Sequence, residues 1–269
     1  MTPKPWARPE PTGECPVPDG RREWIERSLR WCVEEFGPEP LRGEVALPGA
    51  GLIPPGFDAS QEQAERLVRR VCAVMGADPD GITVSLFEGE GGDDASSWSG
   101  HNRRRTVGRY LEADGGSRIE LDVRKAQEPP AFAAVIAHEL AHVRLLGENR
   151  SGKGLDDERL TDLLTVYLGM GVLTANAAYR FTKSDQGFSV LPLGDLTEYE
   201  LTGADDMTYR LGYLSNREFG YALAYYTTLR GDPSPTWAIH LNPGVQVVLR
   251  QGLSHLASRP RAPRTPGEP

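Results

Sequence analysis

Residues 138–142 read His138-Glu139-Leu140-Ala141-His142, inside an apolar run from Phe132 to Leu146 that has the length and composition of a helix. Side chains four apart on an α-helix lie one above the other, so both imidazoles emerge on one face and can grip a single cation. Glu139 lies one position round from that face, within reach of a water on the metal without being a ligand itself. Phe132, Ile136, Leu140 and Val143 fall on the opposite side, and Val135, Ala137, Leu145 and Leu146 make the segment apolar nearly all round. Such a helix is predicted to be buried. Two imidazoles and a carboxylate in a buried helix must be satisfied, and a zinc ion satisfies all three together.

A second helix is predicted over Leu155–Thr165, opening on Asp156, Asp157 and Glu158, whose charges suit its positive N-terminal end. Leu160, Leu163, Leu164 and Tyr167 form its core stripe, while Glu158, Asp162 and Thr165 share the other face. Zinc in hydrolases is usually held by three protein ligands, with the fourth position left to water. Glu158 is the expected third ligand beside His138 and His142. Asp162, one turn further on, is placed to accept the outer N–H of a ligating imidazole. Asp156 and Asp157 read as a solvated helix start.

At these positions the chain resembles the gluzincin zinc metallopeptidases, whose pattern is HExxH on one helix and a Glu, often followed four residues later by Asp, on the next. His138, Glu139, His142, Glu158 and Asp162 match that pattern. The short link between the two helices is similar to that of the compact bacterial members, including the IrrE/ImmA-like type. The likeness spans roughly residues 118–171, with Arg118–Val123 resembling the strand that lies beside the cleft in zincins. It implies a zinc-dependent peptidase in which His138, His142 and Glu158 hold one Zn2+ and Glu139 is the general base. In such enzymes a Tyr, His or Arg on the far wall steadies the developing oxyanion, and Tyr213, Tyr221 and His240 are the candidates here.

Length and composition bound the rest. With 269 residues, 39% hydrophobic and 25% charged, the chain has material for a sizeable core. A net charge of −8 argues against a nucleic-acid or anionic-membrane partner. Arg103-Arg104-Arg105, with Arg109, is too short a basic run to outweigh it. The N-terminus lacks the apolar stretch of a secretion signal and no run is long enough to span a bilayer, so a cytoplasmic protein is expected. Cys15, Cys32 and Cys72 show no CxxC spacing and read as reduced thiols. Cys15, in a Pro-rich segment, is either idle or a thiolate able to reach the open position of the metal.

The expected fold is α+β: a small, mostly antiparallel sheet packed on the HExxH helix and the Glu-bearing helix, with further C-terminal helices. Residues 1–19 and 258–269 read as disordered tails, and 20–257 as one zincin-like domain with a sub-division near 175. Helices are predicted at 21–36, ending at Gly37-Pro38, and from Ser60 with Gln63 to Gly76. Strands follow at 82–87, 106–111 and 118–123. The loop 89–101, carrying Trp98 and His101, is a candidate lid. Ser215 with Glu218 opens a helix that Gly231-Asp232-Pro233 ends, and Asn242-Pro243 opens the last.

Two functions compete. One is a zinc metallopeptidase acting on a peptide or protein substrate. The other is a zincin-like binding module with a closed metal site, against which the presence of Glu139 counts. A nucleic-acid-linked regulator is a third and weaker reading, since no helix-turn-helix is evident.

Overall fold

The computed structural model describes residues 13–49, 51–88, 108–113, 116–148, 150, 158–180 and 213–259. Seven α-helices and a three-stranded sheet occupy them, an α+β arrangement. The chain opens with α1 (Asp19–Phe36) and α2 (Gln61–Met75), then strands β1 (Ile82–Phe87), β2 (Gly108–Ala113) and β3 (Gly116–Asp122). The HExxH segment ends α3 (Pro129–His142), and α4 (Glu158–Tyr167), α5 (Gly171–Arg180), α6 (Asn216–Arg230) and α7 (Pro243–Ser258) complete the order.

The helix boundaries follow local chemistry. Ser60 caps α2 by accepting from Gln63 N–H, and Gly76 closes it in the left-handed conformation. Ser215 and Glu218 form the full reciprocal capping box of α6, and Gly231 ends that helix. Pro129 and Pro130 occupy the first turn of α3, where a missing N–H costs nothing. Beyond His142 the helix widens into a π-helical turn, Val143–Gly147.

The sheet is mixed, not mostly antiparallel as expected from the strand pattern. Its order is β1-β3-β2, with β1 parallel and β2 antiparallel to the central strand β3. Two residues separate β2 from β3, which forces a hairpin; the long connection between β1 and β2 lets β1 take the far edge of β3 in the parallel sense. β3 turns Ser117, Ile119 and Leu121 inwards and Arg118 and Glu120 outwards. Its inner face packs on α3, and β1 packs on α2. Among the described strands β2 and β1 lie at the edges, and β3, which the resemblance expected beside the cleft, is paired on both sides.

One contiguous core runs from Val17 to Leu249, and α5 passes through residue 175 without a break. α3 is buried along its length, as its composition predicts; α4 is buried from Thr161 to Tyr167, with no solvated face. It is enclosed by α1, α3, α5 and α6. Val17 is buried and His255 on α7 bonds the Gly13 carbonyl, so residues 13–18 pack against the body and do not belong to a loose tail. Residues 1–12 and 260–269, the candidate lid 89–101, Arg103–Arg105, Asp156 and Asp157 lie outside the described residues. Among the described residues, no helix is long and apolar enough to cross a membrane.

Candidate metal centre

The last turn of α3 and the first described turn of α4 meet, and they bring His138, His142 and Glu158 together. One donor atom from each lies within 4.8 Å of the others. Glu158 Oε2 is 3.0 Å from His138 Nε2 and 3.3 Å from His142 Nε2. A tetrahedral centre with metal–ligand bonds near 2.0–2.1 Å has corner-to-corner distances of about 3.3 Å, so the Glu158 oxygen stands from each imidazole nitrogen about as one corner stands from another. The imidazole ring centroids lie 5.0 Å apart with planes nearly perpendicular, and both Nε2 atoms face Glu158 Oε2.

Asp162 is buried one helical turn below Glu158, and its carboxylate accepts three hydrogen bonds. Oδ1 accepts from His138 Nδ1 at 2.9 Å, so that in the neutral imidazole the proton sits on Nδ1 and the Nε2 lone pair is left for a cation. Oδ2 accepts from the backbone N–H groups of Tyr213 and Leu214, at 2.6 and 3.0 Å. Thr165, on the same helix face, turns its hydroxyl away to the Asp162 carbonyl and to Thr174 on α5.

The charges follow from this packing. Burial by itself pushes Glu158 up, but the two imidazoles outweigh it and hold its carboxyl well below the usual range. Burial favours neutral His138, yet its bonds to Asp162 and Glu158 carry its pKa well above the ordinary value. Glu139 behaves differently: burial raises its carboxyl, with the imidazoles pulling the other way. An ionised carboxylate and two imidazole nitrogens aimed at one point make a donor set for a divalent cation, and a buried carboxyl of raised pKa beside it suits proton transfer.

Glu139 is placed by β2. The Tyr110 backbone N–H donates to its carboxylate, and Gly108 lets the strand come close. A Cβ at residue 108 would stand 2.7 Å from Glu139 Oε1 and 2.8 Å from Val135 Cγ1, too near for either to remain in place. Tyr110 stacks on His142, ring centroids 6.2 Å apart, and its hydroxyl lies beside Gly147. Neither Gly108 nor Tyr110 stands out in the sequence, because their role depends on which strand forms the edge.

Of the three far-wall candidates, Tyr213 alone is in ring contact with a metal-site histidine: it stacks on His138 at 6.0 Å. Tyr221 is fully buried and donates to Glu26 at 2.7 Å, and burial with that bond raises its pKa. His240 is exposed, in a 3-10 turn. Cys15 is half-buried and outside the donor cluster, and burial raises its thiol pKa. Arg109 is half-exposed, 4.0 Å from Glu120. No family model, no curated protein and no solved structure matches the chain.

Proposed function

We propose that the protein is a zinc metallopeptidase, cutting peptide bonds in a peptide or protein laid along β2. The observation that carries the reading is the geometry at Glu158 Oε2, 3.0 and 3.3 Å from two imidazole nitrogens, with the buried Glu139 carboxyl next to them. Three protein donors among the described residues is the count of a hydrolytic site, and a purely structural site has no use for Glu139. The gluzincin resemblance adds the same five residues in the same roles.

His138, His142 and Glu158 would hold the ion, and Asp162 would keep His138 in the ligating tautomer. Zinc bound there supplies Lewis acidity, lowering the pKa of water to about 7 and polarising the scissile carbonyl. Glu139, steadied by the Tyr110 N–H, takes a proton from the attacking water and returns it to the leaving amine nitrogen. The Tyr213 hydroxyl donates to the carbonyl oxygen as it gains charge. Among the described residues no strand lies on the outer side of β2, and the backbone groups there that Glu139 does not take would pair with an extended substrate as a further strand. Three free thiols suit a reducing compartment, and we place the enzyme in the cytoplasm.

Metal analysis with a mixed-peptide digestion tests this. Wild type and Glu139→Gln should each carry one zinc per chain, and only wild type should cleave. Cleavage by Glu139→Gln at the wild-type rate would remove Glu139 as the general base, and a wild type that binds zinc through a fourth protein ligand and cuts nothing would replace the peptidase with the binding module.

A further inference from the structure

Glu158 is the first described residue of α4, and its carboxylate faces the two imidazoles of α3. Its neighbour Arg159 reaches outwards in two directions. The guanidinium lies over the Trp24 ring of α1, 5.0 Å from the centroid, and donates through Nη2 to Glu218 Oε1 of α6. Glu218 is buried and divides its carboxylate. Oε2 accepts from the Ser215 backbone N–H and hydroxyl, closing the capping box at 2.8 and 2.9 Å, while Oε1 serves Arg159. Arg21, half-exposed, stands 3.6 Å from the same Oε1.

The geometry points to Arg159 and Glu218 as positioning residues for the metal site: clamped between Trp24 and Glu218, Arg159 pins the turn of α4 that carries Glu158, so that the Glu158 carboxylate faces both imidazoles. This rests on the metal-binding reading of His138, His142 and Glu158, and extends it to a pair that touches neither ion nor substrate. The planar fork of Arg, stacked on an indole and bonded to a carboxylate whose other oxygen is held by a helix cap, fixes direction as well as distance. Asp162 ties the next turn of α4 to the backbone at Tyr213 and Leu214, so the same junction holds α4 twice.

Zinc affinity of the full-length protein, measured by chelator competition, tests the clamp, with Co2+ absorption as the geometric readout. Arg159→Met keeps the stem over Trp24 and removes fork and charge. Glu218→Gln leaves an oxygen for the Ser215 cap and none for Arg159. Each should weaken zinc binding roughly 10–100-fold and alter the Co2+ spectrum. The double variant should be no worse than the weaker single, because both remove one interaction. Arg21→Gln, which touches Glu218 without touching α4, should bind zinc as wild type does.

Arg159→Lys preserves charge and stem and so tests the fork alone; it should lose affinity by about tenfold. If Arg159→Met fails to fold, that variant decides. Wild-type affinity in Arg159→Lys, losses that add in the double variant, or an equal loss in Arg21→Gln would each overturn the clamp. The readout is separate from turnover: a wild-type protein that binds zinc but cuts no peptide sinks the peptidase and leaves the clamp standing.

Discussion

Tyr213 is joined to His138 twice: its ring stacks on the imidazole with planes 16° from parallel, and its backbone N–H donates to the Asp162 carboxylate that holds His138 Nδ1. The backbone link belongs to the position; the hydroxyl belongs to the side chain. Tyr213→Phe therefore separates them. The stack and the Asp162 bond should survive and zinc should stay bound, while the proposed donor to the developing oxyanion is removed. We expect kcat to fall by about 100-fold with KM little changed. Steady-state kinetics on a cleaved peptide check this, and an unchanged kcat removes Tyr213 from the chemistry.

Asp162 accepts from three N–H donors, and an amide in its place offers one acceptor oxygen and two unwanted protons. Asp162→Asn should weaken zinc binding roughly 10–100-fold through His138. It should also cost about 1–3 kcal/mol of stability, because a buried N–H loses its partner. Metal competition and urea unfolding measure the two effects separately. Unaltered affinity would show that His138 needs no orienting carboxylate.

Gly108 is the point where β2 passes nearest Glu139. Gly108→Ala drives a methyl into Glu139 and Val135, so strand and helix must part or Glu139 must turn. The expected stability loss is about 1–3 kcal/mol, with turnover reduced and zinc retained, since no ligand is touched. A variant with full activity and unshifted unfolding would mean that the strand does not set the position of Glu139.

Glu26 is buried at the junction of α1, α6 and α7, with Tyr221 donating at 2.7 Å and Arg259 at 2.6 Å. Burial alone would raise its carboxyl; the bonds from Tyr221 and Arg259 outweigh burial and hold it below its ordinary value of 4.5. A depressed folded pKa means that the unfolded chain takes up the proton first. The stabilisation is complete above pH 4.5 and is lost as the pH falls through the folded value. Urea midpoints should drop on acidification more steeply in wild type than in Glu26→Gln. Parallel curves for the two proteins would mean that Glu26 does not contribute to the acid sensitivity.

The sequence by itself determined what depends on spacing within one helix. A spacing of four from His138 to His142, and of four from Glu158 to Asp162, is about one turn each, so the sharing of a face follows from helical pitch wherever the helix lies. The caps at Ser60 and Ser215, and the burial of an all-apolar α3, are equally local. Tertiary structure alone decided which strand borders Glu139. Both edge positions suit the same alternating pattern, and closing a longer loop costs only slightly more than closing a short one, so composition does not choose the order β1-β3-β2. For the same reason Tyr110 on His142, Tyr213 on His138, and Arg159 on a Glu218 that lies 59 residues away were beyond reach of the sequence: each pairing exists only once separate elements have packed.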